Sequence, residues 1–254
     1  MKTQVEIRRS LIKKYRKELY RPFIEAIKKY NLIESGDKIM SCVSGGKDSI
    51  LLSLLLQELF DHGIQNFELR HVMMNPGFTD EYVSGIKEIY KHLGIELEIF
   101  KTDIFEVTEK IANENPCFMC ARMRRGALYS HAQELGFNKI ALGHHMDDVV
   151  ETTLMNMIMQ GSFRNMMPIL DSDNFPGIKL IRPLYLVKEY DIIRFRDYAE
   201  LKTLDCACML TKKNALSTRD RIKTLLGQIE KDFPGAKKNI QNSIENVSLD
   251  TIIK

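Results

Sequence analysis

The chain has 254 residues, 44% of them hydrophobic and 28% charged, with a formal net charge of +3. That balance is ordinary for a globular protein. No run of about 18 apolar residues offers a transmembrane helix, and so small a net charge does not by itself establish a nucleic-acid partner. The opening MKTQVEIRRSLIKKYRKEL has no apolar signal core, so a cytoplasmic protein with no membrane partner is the expectation.

Residues 1–36 read as a basic helical segment. Arg8, Arg9, Lys13, Lys14, Arg16, Lys17, Arg21, Lys28 and Lys29 outnumber Glu6, Glu18 and Glu25, while Ile7, Leu11, Ile12, Tyr15, Leu19, Phe23, Ile24 and Ile27 recur at helical spacing. The pattern predicts an amphipathic helix interrupted or restarted near Pro22, its basic face either solvated or an arm for an RNA backbone.

Residues 37–200 alternate short apolar runs with helical patterns. KIMSCV reads as a strand and DSILLSLLLQELF as a helix; FELRHVMM is a second strand, followed by a helix from Asp80 to Leu93. IELEIFKT is a third strand, VTEKIANEN a short helix ending before Pro116, and CARMRRGALYSHAQEL another helix. KIALG is a fourth strand opening into the helix HHMDDVVETTLMNMIMQG; MMPILDSDNFPG reads as a loop and IKLIRPL as a final strand. Residues 201–254 read as a cysteine-bearing helical segment packed on the same domain, with a break at Pro234-Gly235. Apolar strands spaced by helices predict an α/β fold with a doubly wound parallel sheet. Its strands then end on one edge, where the glycine loop, VMMNPGF and LGHHMDD meet. The methionines of TLMNMIMQGSFRNMMP read as core, or as the lining of a base pocket.

Ser44-Gly-Gly-Lys-Asp-Ser49 follows the first strand and opens a helix. Backbone N–H groups of such a turn, with the helix N-terminus, make an anion site. Gly45 and Gly46 permit close approach, Ser44 and Ser49 offer hydroxyls, and Lys47 neutralises phosphate. It is not a Walker loop, because Ser41 stands where the first glycine belongs and Asp48 separates the lysine from Ser49. A carboxylate there suits a phosphate that arrives with Mg²⁺, which Asp48 can hold directly or through water.

Five cysteines without a secretory context argue against disulfides. Cys42 reads as core. Cys117 and Cys120, with Cys206 and Cys208, form two close pairs that suggest an iron–sulfur cluster or a four-thiolate zinc site. Arg122, Arg124 and Arg125 beside the first pair read as RNA-backbone contacts, as stabilisers of negative charge, or as a solvated basic turn.

The hexapeptide and ALGHHMDDVVET resemble the corresponding segments of the PP-loop ATP pyrophosphatases. PCFMCARMRRGALYSHAQELGFNKIALGHHMDD and IRPLYLVKEYDIIRFRDYAELKTLDCAC are similar to the tRNA 2-thiocytidine synthetase family, over most of residues 37–245. The resemblance implies an adenine-nucleotide α-hydrolase-like fold and cleavage of ATP to AMP and pyrophosphate. It implies adenylation of a base carbonyl, C2 of the cytidine at tRNA position 32, followed by replacement of oxygen with sulfur. It further implies a [4Fe-4S] cluster on Cys117, Cys120 and Cys206 whose fourth iron is open to hydrosulfide. Gly143 would lie near the ribose and adenine, and Met73, in the segment Met73–Asn75, would contact adenine through its backbone. Asp48, Asp147 and Asp148 would assist Mg²⁺ or the reaction, and His144 and His145 would polarise the carbonyl or serve the backbone. The implied partners are tRNA and a sulfur donor, either a cysteine desulfurase or free sulfide, with a homodimer as one assembly to test. The chain departs from the family's C-x-x-C at Cys206-Ala-Cys208, leaving Cys208 as a spare thiol, a cap on the fourth iron or a persulfide carrier. Thiolation of a uridine, or a zinc-stapled ATP- or RNA-binding module, are the rival readings.

Overall fold

The computed structural model describes residues 1–63, 66–111, 116–204, 217–248 and 250, with the backbone alone at residues 111 and 116–118. Six strands, β1 (Lys38–Val43), β2 (Glu68–Asn75), β3 (Leu97–Lys101), β4 (Lys139–Ala141), β5 (Ile169–Asp171) and β6 (Lys179–Ile181), form one sheet in the order β3-β2-β1-β4-β6-β5. Among the described residues ten α-helices lie around it: α1 (Gln4–Ile12), α2 (Arg21–Lys29), α3 (Lys47–Asp61), α4 (Asp80–Leu93), α5 (Ile104–Ile111), α6 (Pro116–Glu134), α7 (Met146–Gln160), α8 (Glu189–Ala199), α9 (Thr218–Asp232) and α10 (Ala236–Glu245).

Every strand pair is parallel except β5 with β6. Side chains alternate along β1, so Ile39 and Val43 join one apolar cluster with α3 and α4, while Met40 joins another with Tyr129 and Phe137 of the α6 region. Both faces are therefore covered, which is why these strands read as apolar runs rather than alternating ones. The chain winds outward from β1 through β2 to β3, then returns to place β4 on the other side of β1. That reversal opens a crevice between the carboxyl ends of β1 and β4, the usual ligand position in such sheets.

One segment differs from the expectation. MMPILDSDNFPG contains β5, an edge strand antiparallel to β6. Three residues bonded on one side, with Leu170 and Asp171 exposed, leave too little alternation to recognise. At the N-terminus α1 ends at Ile12, a π-helical turn spans Arg16–Tyr20, and the helix restarts as α2 at Arg21, beside Pro22 as expected. Pro22 stands in the first turn of α2, where a missing N–H costs nothing. Ile7, Leu11, Leu19, Phe23 and Ala26 are fully buried in the same cluster as β1 and α3. Arg8 donates to Glu58 at 2.9 and 2.8 Å and also to Asp61, tying α1 to α3. Among the described residues no helix is long and apolar enough to cross a membrane.

The C-terminal helices dock on α7 through a small cluster of Val150, Ile222 and Leu226. Gln241 adds a buried hydrogen bond of 2.9 Å to the Tyr185 carbonyl. Leu226→Ala removes the centre of that cluster and should cost about 3 kcal/mol of unfolding free energy, measurable as a lowered urea midpoint at unchanged slope.

Candidate active site

The strand β1 ends at Val43, and Ser44–Gly46 turn the chain into α3 with Gly46 as its N-cap. Gly45 has φ +83°, and a Cβ there would lie 2.7 Å from Ile86 Cδ1. No other residue fits that turn without strain and displacement of α4. The hydroxyl of Ser49 bridges the loop, accepting from the Ser44 N–H at 3.2 Å and donating to the Gly46 carbonyl at 3.0 Å. Tyr82 of α4 closes the outside by donating to the Ser44 carbonyl at 3.0 Å. The N–H groups at the head of α3 are left facing the crevice, as an anion-binding turn requires.

Across the crevice, β4 leads through Leu142, Gly143 and His144 to α7. A Cβ on Gly143 would come within 3.1 Å of Asp48 C and Ser49 N, so glycine lets this segment pass directly against the loop. His145 caps α7: its N–H donates to Asp148 Oδ2 at 3.0 Å, and its Nδ1 accepts from the Asp148 N–H at 3.3 Å. An accepting Nδ1 puts the ring proton on Nε2, which lies 3.8 Å from Asp48 Oδ1. His145 is thus a buried positioning group, whereas His144 lines the cleft itself. Burial, reinforced by nearby Arg182, lowers the His144 pKa to about 4, so its imidazole is neutral at physiological pH.

Lys47 is held between two carboxylates, Asp48 at 3.1 Å and Glu189 at 3.2 Å. Burial works against its charge, but the two acids outweigh burial and raise its pKa. Glu189 in turn pairs with Lys223 of α9 at 2.5 Å. Burial would raise the Glu189 pKa, yet Lys223 and Lys47 pull it down to about 2.

Asp147 and Asp148, adjacent in sequence, are put to different uses. Asp148 lines the cleft and meets Arg219 of α9 at 3.4 Å. Asp147 is buried away from it, accepting from the Glu189 N–H at 2.8 Å and from Lys237 of α10 at 2.7 Å. Successive residues of a first helical turn point about 100° apart, which separates the pair. Met73 is fully buried in the sheet, and Met74 takes the place in the cleft wall. The methionine cluster divides: Met155 packs against Val150, Ile222 and Leu226, Met166 packs on the main core while lining the cleft, and Met157, Met159 and Met167 are exposed.

The cleft has a volume of about 610 Å³ and an apolar floor that includes Leu142, Leu180 and Tyr129. Ser44, Asp48, Ser49, Gly143 and Asp148 border it on one side, and Arg124, Arg125 and Arg182 on the other. Arg122 is exposed and outside this lining. Cys42 is half-buried in the wall, where burial pushes its thiol up to about 12 and keeps it protonated. Cys120 is buried against Met74 and Ile104. Cys117 is one turn earlier on α6, its side chain outside the described ones, and Cys206 and Cys208 lie outside the described residues altogether. Glu189 and Arg182, absent from the expected set, are prominent here. Arg182 carried a signal, a cation directly after an apolar strand; Glu189 carried none that distinguishes it from surface acids.

Fold and loop together define a nucleotide-binding PP-loop domain, and residues 5–228 match the family model described as a PP-loop domain. The chain is 37% identical over 246 residues to the tRNA-cytidine(32) 2-sulfurtransferase of Alcanivorax borkumensis, covering 95% of this chain and 84% of that one. It is 38% identical over 236 residues to the enzyme of the same name from Paraburkholderia phytofirmans, covering 91% and 68%. Among solved structures it is similar to the U34-tRNA thiolase NcsA from Methanococcus maripaludis with its [4Fe-4S] cluster, at a TM-score of 0.72 and 26% identity over 92% of this chain and 79% of that one. The chain belongs to the PP-loop family and, within it, to the tRNA-cytidine(32) 2-sulfurtransferase family.

Two outcomes test this geometry. Gly45→Ala forces a left-handed residue of about 1–2 kcal/mol strain into the loop, which should weaken ATP binding roughly tenfold by calorimetry. Because the folded-state pKa of Glu189 lies below its unfolded value, its ion pairs stabilise above the unfolded pKa and fade as pH falls toward about 2. Glu189→Gln should therefore show a shallower loss of stability than the wild type between about pH 5 and pH 3.

Proposed function

We propose that the protein uses ATP to replace oxygen with sulfur at C2 of a tRNA cytidine. The observation that carries this reading is that one cleft is bordered by the phosphate loop and by the arginine-bearing helix that starts with Cys117 and Cys120. The identity to cytidine-acting relatives exceeds that to the uridine-acting one, which favours cytidine.

In this account Gly45, Gly46, Ser44 and Ser49 hold the pyrophosphate end of ATP, with Lys47 neutralising it. Asp48 Oδ1 is buried without a hydrogen-bond partner among the described residues. A bare carboxylate oxygen beside a phosphate loop fits a hard divalent cation, and Asp48 would hold Mg²⁺, which supplies charge neutralisation to the leaving group. Asp148, fixed by Arg219, borders the same region. The base carbonyl oxygen attacks the α-phosphorus in line and pyrophosphate leaves. A sulfur nucleophile then attacks C2, the C–O bond breaks, and AMP departs with the former base oxygen. Gly143 lets the nucleotide sit close to the loop, and the end of β2 at Met73 and Met74 offers adenine a backbone contact, with Met74 lining the cleft. Neutral His144 is placed to hydrogen-bond the carbonyl or to take the proton released at the base.

Cys117 and Cys120 are spaced three apart on α6 and so share a helix face. Thiolates there, with Cys206 as a third, would suit a [4Fe-4S] cluster, a reading that the burial of Cys120 against Met74 of the cleft wall supports. When bound, the cluster supplies sulfur in soft, water-shielded form. The residues 201–254 then complete the site instead of forming an independent unit.

The test uses protein purified without oxygen, with tRNA, ATP and sulfide. AMP and pyrophosphate should appear only when tRNA is present, matched by 2-thiocytidine in the digested RNA. Cys120→Ser should lose iron and labile sulfide, and with them thiolation, while ATP affinity stays within about twofold. Stoichiometric zinc with no sulfide in the wild type, or thiolation by the Cys120 variant, would contradict the assignment.

A further inference from the structure

Among the described residues the arginines of the cleft, Arg124, Arg125 and Arg182, have no carboxylate in ion-pair contact, although five carboxylates stand nearby around the phosphate loop. Asp148, the acid that faces them, is engaged by His145 and Arg219. Arg182 is the extreme case: it is 8% exposed, its Nη1 donates to the Met167 carbonyl, and its Nε is buried without a partner among the described residues. Burial, with a further push from the like charge of Arg125, lowers its pKa to about 10. A desolvated cation beside another cation is unfavourable unless an anion completes the group.

Planar guanidinium forks on two elements, α6 and the end of β6, match the oxygens of a phosphate. The position argues against the ATP polyphosphate as that anion. Arg182 follows β6, which is two strands from β1 and its loop, a separation of about 10 Å along the sheet. Between them lies the apolar floor of Leu142, Leu180 and Tyr129, flanked at the mouth by Met166 and Leu170. Such a surface suits an unstacked base, with its backbone phosphate toward the arginines.

We propose that Arg125 and Arg182 form a second phosphate subsite, separate from the phosphate loop, which grips the phosphodiester beside the target nucleotide and sets its base over the apolar floor. This rests on RNA being the substrate. Arg125 is exposed, so Arg125→Gln leaves the fold intact, and Arg182→Lys keeps the charge while losing the fork.

The experiment compares wild type and both variants by tRNA binding across a salt series and by ATP and AMP binding without RNA. Arg125→Gln should weaken tRNA about tenfold and reduce the magnitude of the log–log salt slope by about one, the signature of one lost phosphate contact. Arg182→Lys should weaken tRNA comparably with the slope unchanged, because charge is retained, and ATP and AMP affinities should stay at wild-type values. Unchanged tRNA affinity in Arg125→Gln would overturn the subsite. So would weakened AMP binding with normal tRNA binding, which would assign the arginines to the adenylate. A wild type that binds no tRNA and releases no AMP with it would instead overturn the RNA reading itself.

Discussion

Five carboxylates, Asp48, Asp147, Asp148, Glu151 and Glu189, are gathered at the carboxyl edge of the sheet, and the neighbourhood of the phosphate loop depends on how they are neutralised. Lys47 answers Asp48 and Glu189; Arg219 answers Asp148 and Glu151; Lys223 and Lys237 answer Glu189 and Asp147. Three of these four cations come from α9 and α10. The C-terminal helices are therefore part of the electrostatic frame of the loop. Without Lys223, Glu189 would compete more strongly for Lys47, the cation of the phosphate loop.

The same accounting explains the asymmetry of the cleft. Toward β1 and α8 every acid has a basic partner, apart from the bare oxygen of Asp48. Toward α6 and β6 the arginines have none among the described residues. A site arranged this way holds a carboxylate oxygen without a hydrogen-bond partner and cations without acids among those residues. Two separate anions with a divalent metal satisfy it better than one nucleotide alone.

Much of the architecture was legible because it is written in local chemistry. KIMSCV ahead of SGGKDS signals a buried strand and an anion turn, and the helix Asp80–Leu93 matched its expected ends because Thr79 caps it and Gly94 stops it in the left-handed region. What escaped depended on distance in space. Nothing in DD tells which aspartate faces the cleft; that follows from the approach of Glu189 and Lys237, 42 and 90 residues away from Asp147 in sequence. Glu189 looked like any acid at a helix start. Leu170 and its neighbours in β5 pair with β6 along one edge only, and so short a strand has no pattern of its own.

The central claim is that the base oxygen attacks the α-phosphorus of ATP and leaves with AMP. Its most direct test is a single turnover with tRNA carrying ¹⁸O at C2 of the target cytidine, followed by mass analysis of the AMP. The account predicts one ¹⁸O in the phosphate of each AMP formed alongside 2-thiocytidine. Unlabelled AMP, with the label retained in the RNA or lost to water, would contradict it.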